Sequence, residues 1–483
     1  MGMPMTRMGG TDGQHPGVPA LRAWRWVLNA LISSRMVGIG MVTCAYIYLN
    51  LMQGRPIPVS LQFTNLLVVF LSTYLCFSDP SKPFSIFKAV MLFFVIFFGL
   101  APLLEYKLSL RYWGGSPIDD GDYLVANIAV IISMVIYILG YFRFFRKSGK
   151  DLTFFTRQLS IGNSAERGNS LAVRLLVLSS VLLLGILYYY NFSLPAVLLR
   201  GGEFDIALVP DDKTLGLVVA NFLRPLVFNC FAVYLMLKKK ADLYFLVLLF
   251  LAILGACPSA LPRFETAALY MPIMFVYIWR SNLKGYHLNN ILLLGFVFVF
   301  PLLELFRFFS SWGDLEFNMN LDFYSAGHFD AYQQLVRAMV SGSLSYVYQL
   351  LGVLLFFVPR SIWPDKPLGS GETLAHNIGL SFTNVSMPLL GEGYVNFGWL
   401  GMLLFVLMLA YVTAKLDRAF WVSKVDGHGS LFPLAYMELI GLFFFIMRGD
   451  LLSSFAYTCG IMASLFVISV TLRFGSVANI KVT

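Results

Sequence analysis

The sequence predicts an all-α polytopic membrane protein of about 12 transmembrane helices, with one large extracytoplasmic loop between spans 9 and 10. Three observations lead there. Of the 483 residues, 58% are hydrophobic and 13% charged, far more apolar than a soluble domain needs to bury a core. Twelve apolar segments follow one another, each centred on a stretch suited to the ~20 residues that cross a hydrocarbon core. The connections between them carry basic residues unevenly, as the positive-inside rule requires.

Residues 1–26 (MGMPMTRMGGTDGQHPGVPALRAWRW) form a tail with three arginines. No short apolar stretch with a small-residue cleavage site follows it, so the first hydrophobic segment is expected to stay as an anchor. Spans 1–9 occupy 27–309, centred near residues 38, 69, 95, 134, 180, 226, 249, 272 and 298. The loop takes 310–397, spans 10–12 take 398–473 with centres near 407, 439 and 462, and 474–483 is a second tail. Alternate connections, both tails included, hold 22 basic residues against 11 on the opposite side, while the acids divide 7 against 18. Both termini are therefore expected in the cytoplasm.

The apolar run Leu344 to Val358 is short for a span, and a crossing there would move Lys415, Arg418 and Lys424 outside. It is read as a re-entrant or interfacial helix. Five cysteines (Cys44, Cys76, Cys230, Cys257, Cys459) lie in or beside apolar stretches without metal-type or disulfide-type spacing, and read as small hydrophobes. The net charge of +9 reflects sidedness in a membrane rather than a nucleic-acid partner. No internal repeat is evident, which counts against a transporter built from repeats.

The loop is the longest connection, and unstructured connections of that length are usually functional. It contains FDAYQQLVRAMVSGSLSYVYQLLGVLLFFVPRSIWPDKP, then GETLAHNIGL, then SMPLLGEGYVNFGWLG leading into span 10. The order of an FDxY segment, a PRSxWPxKP turn and a GExYxNFGxxG start of a helix resembles the Wzy-type polymerases of O-antigen and exopolysaccharide repeat units. The resemblance is strongest from Phe329 to Gly401. It implies a glycosyltransferase C-like, metal-independent membrane enzyme without cofactors. Such an enzyme moves a growing glycan from undecaprenyl pyrophosphate onto the next lipid-linked repeat unit, at the outer face of the cytoplasmic (inner) membrane, in lipopolysaccharide or exopolysaccharide synthesis. A chain-length regulator and a flippase of the same pathway are the implied partners.

That chemistry sets the residue types required. A pyrophosphate leaving group calls for cations where its charge develops, and the arginine fork matches phosphate oxygens. Arg360, Lys366, Arg263 and Arg448 lie near predicted membrane boundaries on the external side. Pro359 and Pro364 stiffen the chain around Arg360, the first choice. Headgroup snorkelling remains open for each arginine, as do pairs of Arg448 with Asp450 and of Arg263 with Glu265. The acceptor hydroxyl must lose a proton, and Glu392, His376 and Asp330 are the candidate bases. Glu392 has an ion-pairing alternative, and His376 has that of a polar surface residue. Asp365 reads more simply as a turn or ion-pairing residue, and either purpose stays open for Asp330 in HFDAY. Trp363 and Tyr394, with Trp399, are placed to stack on sugars or to sit in an interfacial aromatic belt.

The spacing Arg360-x10-Gly371 occurs in part of that family, but chance matches to it are expected in this composition, and the paired second copy on another external loop is absent. The acidic groups Asp119, Asp120, Asp122 and Asp211, Asp212 offer a metal-dependent alternative, with a solvated loop as the simpler reading. Arg224 and Glu438 fall deep in predicted spans, so an ion pair or a substrate contact is expected for each, and Arg35 is close enough to a span end to snorkel. An O-antigen ligase-like transferase, a flippase of lipid-linked oligosaccharide and a non-catalytic scaffold are the competing readings.

Overall fold

The computed structural model describes residues 33–147, 158–161, 169–199, 213–238, 242–280, 285–305, 321–422 and 430–478. The described residues are helical, with no strand. The principal helices before the long connection are α1 Arg35–Leu51, α2 Val59–Cys76, α3 Ile86–Lys107, α4 Asp120–Arg146, α5 Asn169–Tyr189, α6 Leu215–Leu237, α7 Leu243–Gly255, α8 Arg263–Arg280 and α9 His287–Leu302. Within the long connection lie α10 Ala331–Val340, α11 Tyr348–Leu354 and α12 Ser370–Asn377. They are followed by α13 Leu389–Trp421, α14 Phe432–Arg448 and α15 Leu451–Ala478.

Each of the twelve expected centres falls inside one of these helices. Seven, namely α2 to α6, α13 and α15, are long and apolar enough to cross a membrane. The apolar helices α1, α7 and α9 are shorter, α8 is interrupted by Pro272, and α14 has 17 residues. The molecule is thus an all-α protein of multi-pass membrane type. In α5, Val173, Val177, Val181, Leu184 and Tyr188 recur at helical spacing and are all exposed, an apolar face turned outward as lipid contact demands. The run 344–358 contains only the seven-residue α11, about 10 Å long at 1.5 Å per residue and so no span.

Helix α3 is the axis: 94% of its apolar window is buried, against 61% or less in the other six candidate spans. Ser85 Oγ accepts from Lys88 N at 3.1 Å, and the Asp417 carboxylate from α13 accepts from Ile86 N (2.9 Å) and Phe87 N (3.1 Å), so the orphan amides of its first turn are satisfied without water. Tyr141 and Tyr436 hydroxyls donate to the same carboxylate at 2.7 and 2.6 Å.

Three helices widen into a π-helical turn, at Ile96–Leu100, Val219–Leu223 and Gly295–Val299. Each widening ends two residues before a proline: Pro102, Pro225 and Pro301. A proline ring collides with the carbonyl four residues back and has no N–H to offer it. One extra residue in the turn relieves the collision. At the first widening the Gly99 carbonyl accepts from Asn65 Nδ2 at 2.8 Å.

Helix α13 is broken. Phe397 (φ −144°, ψ 17°) and Gly398 (φ 64°, ψ −148°) leave helical geometry, the latter in a region essentially reserved for glycine. The two turns before the break fold back on the helix after it, so closely that a Cβ on Gly401 would overlap the carbonyl oxygen of Gly393. GEGYVNFGWLG is therefore a glycine-hinged reversal, and it directs Glu392 back into the bundle. Gly401→Val is expected to lower the stability of the detergent-solubilised protein by about 1 to 3 kcal/mol or more, as overpacking against backbone does. Gly40→Ala, where a Cβ meets nothing within 4 Å, should leave the melting temperature unchanged or raised.

Candidate functional site

Helix α10 carries the FDAY stretch and is unusual for a buried helix, because Tyr332, Gln333, Gln334 and Arg337 are all withdrawn from water. The connection 108–119 supplies their partners. Tyr112 N donates to Gln333 Oε1 (2.9 Å), Gln333 Nε2 to the Leu110 carbonyl (2.9 Å), and Arg337 to the carbonyls of Tyr112 (2.9 Å) and Gly114 (2.5 Å). Tyr332 OH donates to Asn127 Oδ1 at 2.7 Å. Tyr332, Gln333 and Arg337 are thus paired out of water, whereas the Gln334 side-chain amide is buried with no hydrogen-bond partner among the described residues.

Asp330, just before α10, is 1% exposed. Its Oδ1 lies 3.2 Å from Arg448 Nη2 at the end of α14. Its Oδ2 accepts from Trp113 Nε1 and from Ser386 N, both at 3.2 Å. Arg448 also donates to the Gly327 carbonyl at 3.4 Å. In the same turn His328 meets Arg263, whose Nη2 is 3.3 and 3.4 Å from the two ring nitrogens. The Arg263 guanidinium also lies over Phe300, 4.7 Å from its ring centre.

A second carboxylate, Glu392, is 1% exposed. It accepts from Ser370 Oγ and from Leu451 N, both at 2.8 Å. Asp450 accepts from Ser453 N at 3.2 Å and from Gly371 N at 3.4 Å. The amino ends of α12 and α15 thus both face the two carboxylates, where helix dipoles favour negative charge. Withdrawal from water pushes the Asp450 carboxyl above its usual range, and the amides of Ser453 and Gly371 pull it partly back.

The remaining candidates lie apart from these two groups. Arg360 is exposed and spends two N–H groups on its own turn, donating to the carbonyls of Lys366 (2.5 Å) and Pro367 (3.3 Å). Lys366 donates to Phe356 O (2.6 Å) and Val358 O (3.1 Å), and burial followed by the Arg360 charge holds its ammonium below the usual lysine range. His376 is exposed, 4.0 Å from Glu372. Trp363 meets Tyr348 edge to face at 6.3 Å. The Tyr348 hydroxyl donates to the Asp365 carbonyl. Tyr394 is buried against Trp399, with ring centres 5.6 Å apart, and its hydroxyl donates to Met339 O at 3.4 Å.

Arg448 pairs with Asp330, so the pairing with Asp450 considered from the sequence is replaced. Asp120 pairs with Arg55 at 2.6 Å and accepts from Tyr106, while Asp211 and Asp212 lie outside the described residues. Among the described residues no three His, Cys, Asp or Glu side chains are grouped to hold a metal ion. Arg224 donates to the carbonyls of Val197 (3.0 Å) and Gly255 (3.3 Å), with its charge at helix ends. Glu438 is fully buried and has no ion pair among the described residues. Arg35 lies over the Tyr74 ring at 5.9 Å.

Sequence reasoning missed Trp113, His328, Ser370 and Ser386. One signal was available: Asp330, Gln333 and Arg337 recur at helical spacing, a polar stripe that a buried helix must have matched. The others come from distant segments, and nothing local marks them. Comparison with protein-family models, curated proteins and solved structures finds no match.

Two outcomes follow from this geometry. Arg448→Ala leaves the Asp330 charge buried without its cation and should cost about 3 to 5 kcal/mol in denaturation experiments, with part recovered in Arg448→Ala/Asp330→Asn. Asp450 has a raised pKa in the folded state, so it binds its proton more tightly there than when unfolded. Its contribution is full at low pH and is lost as pH rises through the raised value. Melting temperatures across about pH 4 to 8 should therefore fall less steeply on the alkaline side in Asp450→Asn than in the wild type.

Proposed function

We propose that this chain is a membrane glycosyltransferase that polymerises undecaprenyl-pyrophosphate-linked oligosaccharide repeat units into O-antigen or exopolysaccharide. On this reading twelve helices cross the cytoplasmic membrane, both termini are cytoplasmic, and the Asp330 and Glu392 groups face the outer side. One observation carries the proposal. The stretches that resemble Wzy-type polymerases lie about 20 to 30 residues apart in one segment, and each leads to one of the two buried carboxylate groups. FDAY supplies Asp330, GEGY supplies Glu392, and the PRSIWPDKP turn leads into Gly369 and Ser370, which lie against Asp450 and Glu392.

The residues divide the work as the reaction demands. The acceptor hydroxyl attacks the anomeric carbon of the donor, the bond from that carbon to the pyrophosphate oxygen breaks, and the hydroxyl proton passes to a carboxylate. Asp330 is the favoured base: three donors hold it, on a carboxylate with about four lone-pair sites, so one site on Oδ1 remains for the incoming hydroxyl. Arg448 and Arg263, converging on the turn 327–330, take the departing pyrophosphate. Arg448 Nε is buried and has no hydrogen-bond partner among the described residues, an N–H that a phosphate oxygen entering the site would satisfy. Glu392 with Asp450 holds the loop on the bundle and is the second candidate base. Arg360 and Lys366 meet the lipid-linked donor at the loop surface, and Trp363 offers a ring to its sugars; His376 is left to the solvent side.

The test is the glycan ladder from cells that lack their own polymerase, complemented at matched membrane levels. Wild type should restore the ladder, and Asp330→Asn should cut polymerisation by roughly 100-fold or more, as loss of a general base does. Arg448→Lys should shorten the ladder, and Arg360→Ala should weaken it without abolishing it. A wild-type chain that yields no ladder, although lipid-linked repeats reach the outer face, defeats the proposal.

A further inference from the structure

The connection 108–119 has a backbone that its sequence alone would not adopt cheaply. Trp113 (φ 61°), Gly114 (φ 80°) and Gly115 (φ 86°) form three consecutive left-handed residues, and a bulky side chain in that region is a genuine outlier. Such strain persists only where the surroundings over-determine it. Here they do. Arg337 donates to the carbonyls on both sides of Trp113, at Tyr112 and Gly114. The Trp113 carbonyl accepts from Ser381 N (3.0 Å) and Ser381 Oγ (2.9 Å), and its ring lies on Phe382 with centres 4.5 Å apart. On its other side the ring fills the space where a Cβ on Gly327 would stand. All of this delivers one polar atom, the indole Nε1–H, to Asp330 Oδ2 at 3.2 Å.

We infer that Trp113 is a positioning residue for Asp330: its indole N–H, aimed by the strained turn 113–115, fixes the carboxylate so that Oδ1 meets the acceptor hydroxyl. An indole N–H only donates. With Ser386 N it occupies Oδ2, while Arg448 approaches Oδ1 from the opposite element. The plane of the carboxylate is set by donors on both oxygens. Losing Trp113 Nε1–H leaves Oδ2 with a single donor on the backbone and lets the carboxylate rotate about its Cβ–Cγ bond toward Arg448. The guanidinium would then take up the lone pair meant for the hydroxyl. This inference rests on the proposed polymerase reading and on Asp330 as its base.

The experiment uses the full chain in proteoliposomes with a lipid-linked repeat unit that the wild type polymerises. Trp113→Phe keeps an aromatic ring against Phe382 and removes the N–H. Replacement of Trp113 by benzothienylalanine keeps the bicyclic shape as well, with sulfur in place of N–H. Both variants should lose about tenfold in kcat, the worth of one hydrogen bond to a charged group, with KM for the donor unchanged and the melting temperature lowered to a similar extent in both, since each removes one donor from a buried carboxylate. In an Asp330→Asn background neither should cause a further loss. A benzothienyl variant as fast as wild type, a loss confined to KM, or a loss that adds fully to that of Asp330→Asn overturns the inference and leaves the polymerase reading standing. Wild-type protein that makes no polymer from any lipid-linked repeat overturns both.

Discussion

A carboxylate almost wholly out of water holds the polar end of this bundle together. Asp330 is reached by a guanidinium from α14, an indole from the α3–α4 connection and a backbone amide that precedes α13. Three segments more than fifty residues apart in sequence are thereby fixed to one turn. Burying such a charge is costly, and the cost is offset only while every donor stays in place. The buried polar face of α10 follows from the same constraint, because Gln333 and Arg337 bind the connection that carries Trp113.

Backbone irregularity does the complementary work. Each π-helical turn stands two residues ahead of a proline, so the widening answers a local steric conflict rather than weakness in the helix. The break at Gly398 has a larger consequence. It reverses the chain and sets Glu392 beside the amino ends of α12 and α15, where both of its oxygens are matched by donors. A straight α13 would hold Gly393 about 12 Å along the axis from Gly401, at 1.5 Å per residue over eight residues, instead of against it.

These features give the proposed transferase a division of labour that the residue types alone left open. Cations on two helices, Arg263 and Arg448, meet at one turn, whereas Arg360, first choice from the sequence, is bound to its own loop carbonyls. The proline-rich turn is stiff because Arg360 and Lys366 close it on backbone oxygens, not because of prolines alone. Stiffness there sets where Gly369 and Ser370 lie against Asp450 and Glu392.

The membrane class and the position of every principal apolar helix were legible in the sequence, because hydropathy and composition are local sums over neighbouring residues. Asp330, Glu392 and Arg448 were legible as candidates for the same reason: a charged residue beside an apolar run stands out wherever it ends up. Their partners were not. That Arg448 would meet Asp330 and not Asp450, that Trp113 would turn left-handed to reach the same carboxylate, and that α13 would double back were decided by contacts between distant segments. Side-chain pairing across a bundle depends on which faces pack, and a one-dimensional pattern does not contain that information until the tertiary structure imposes it.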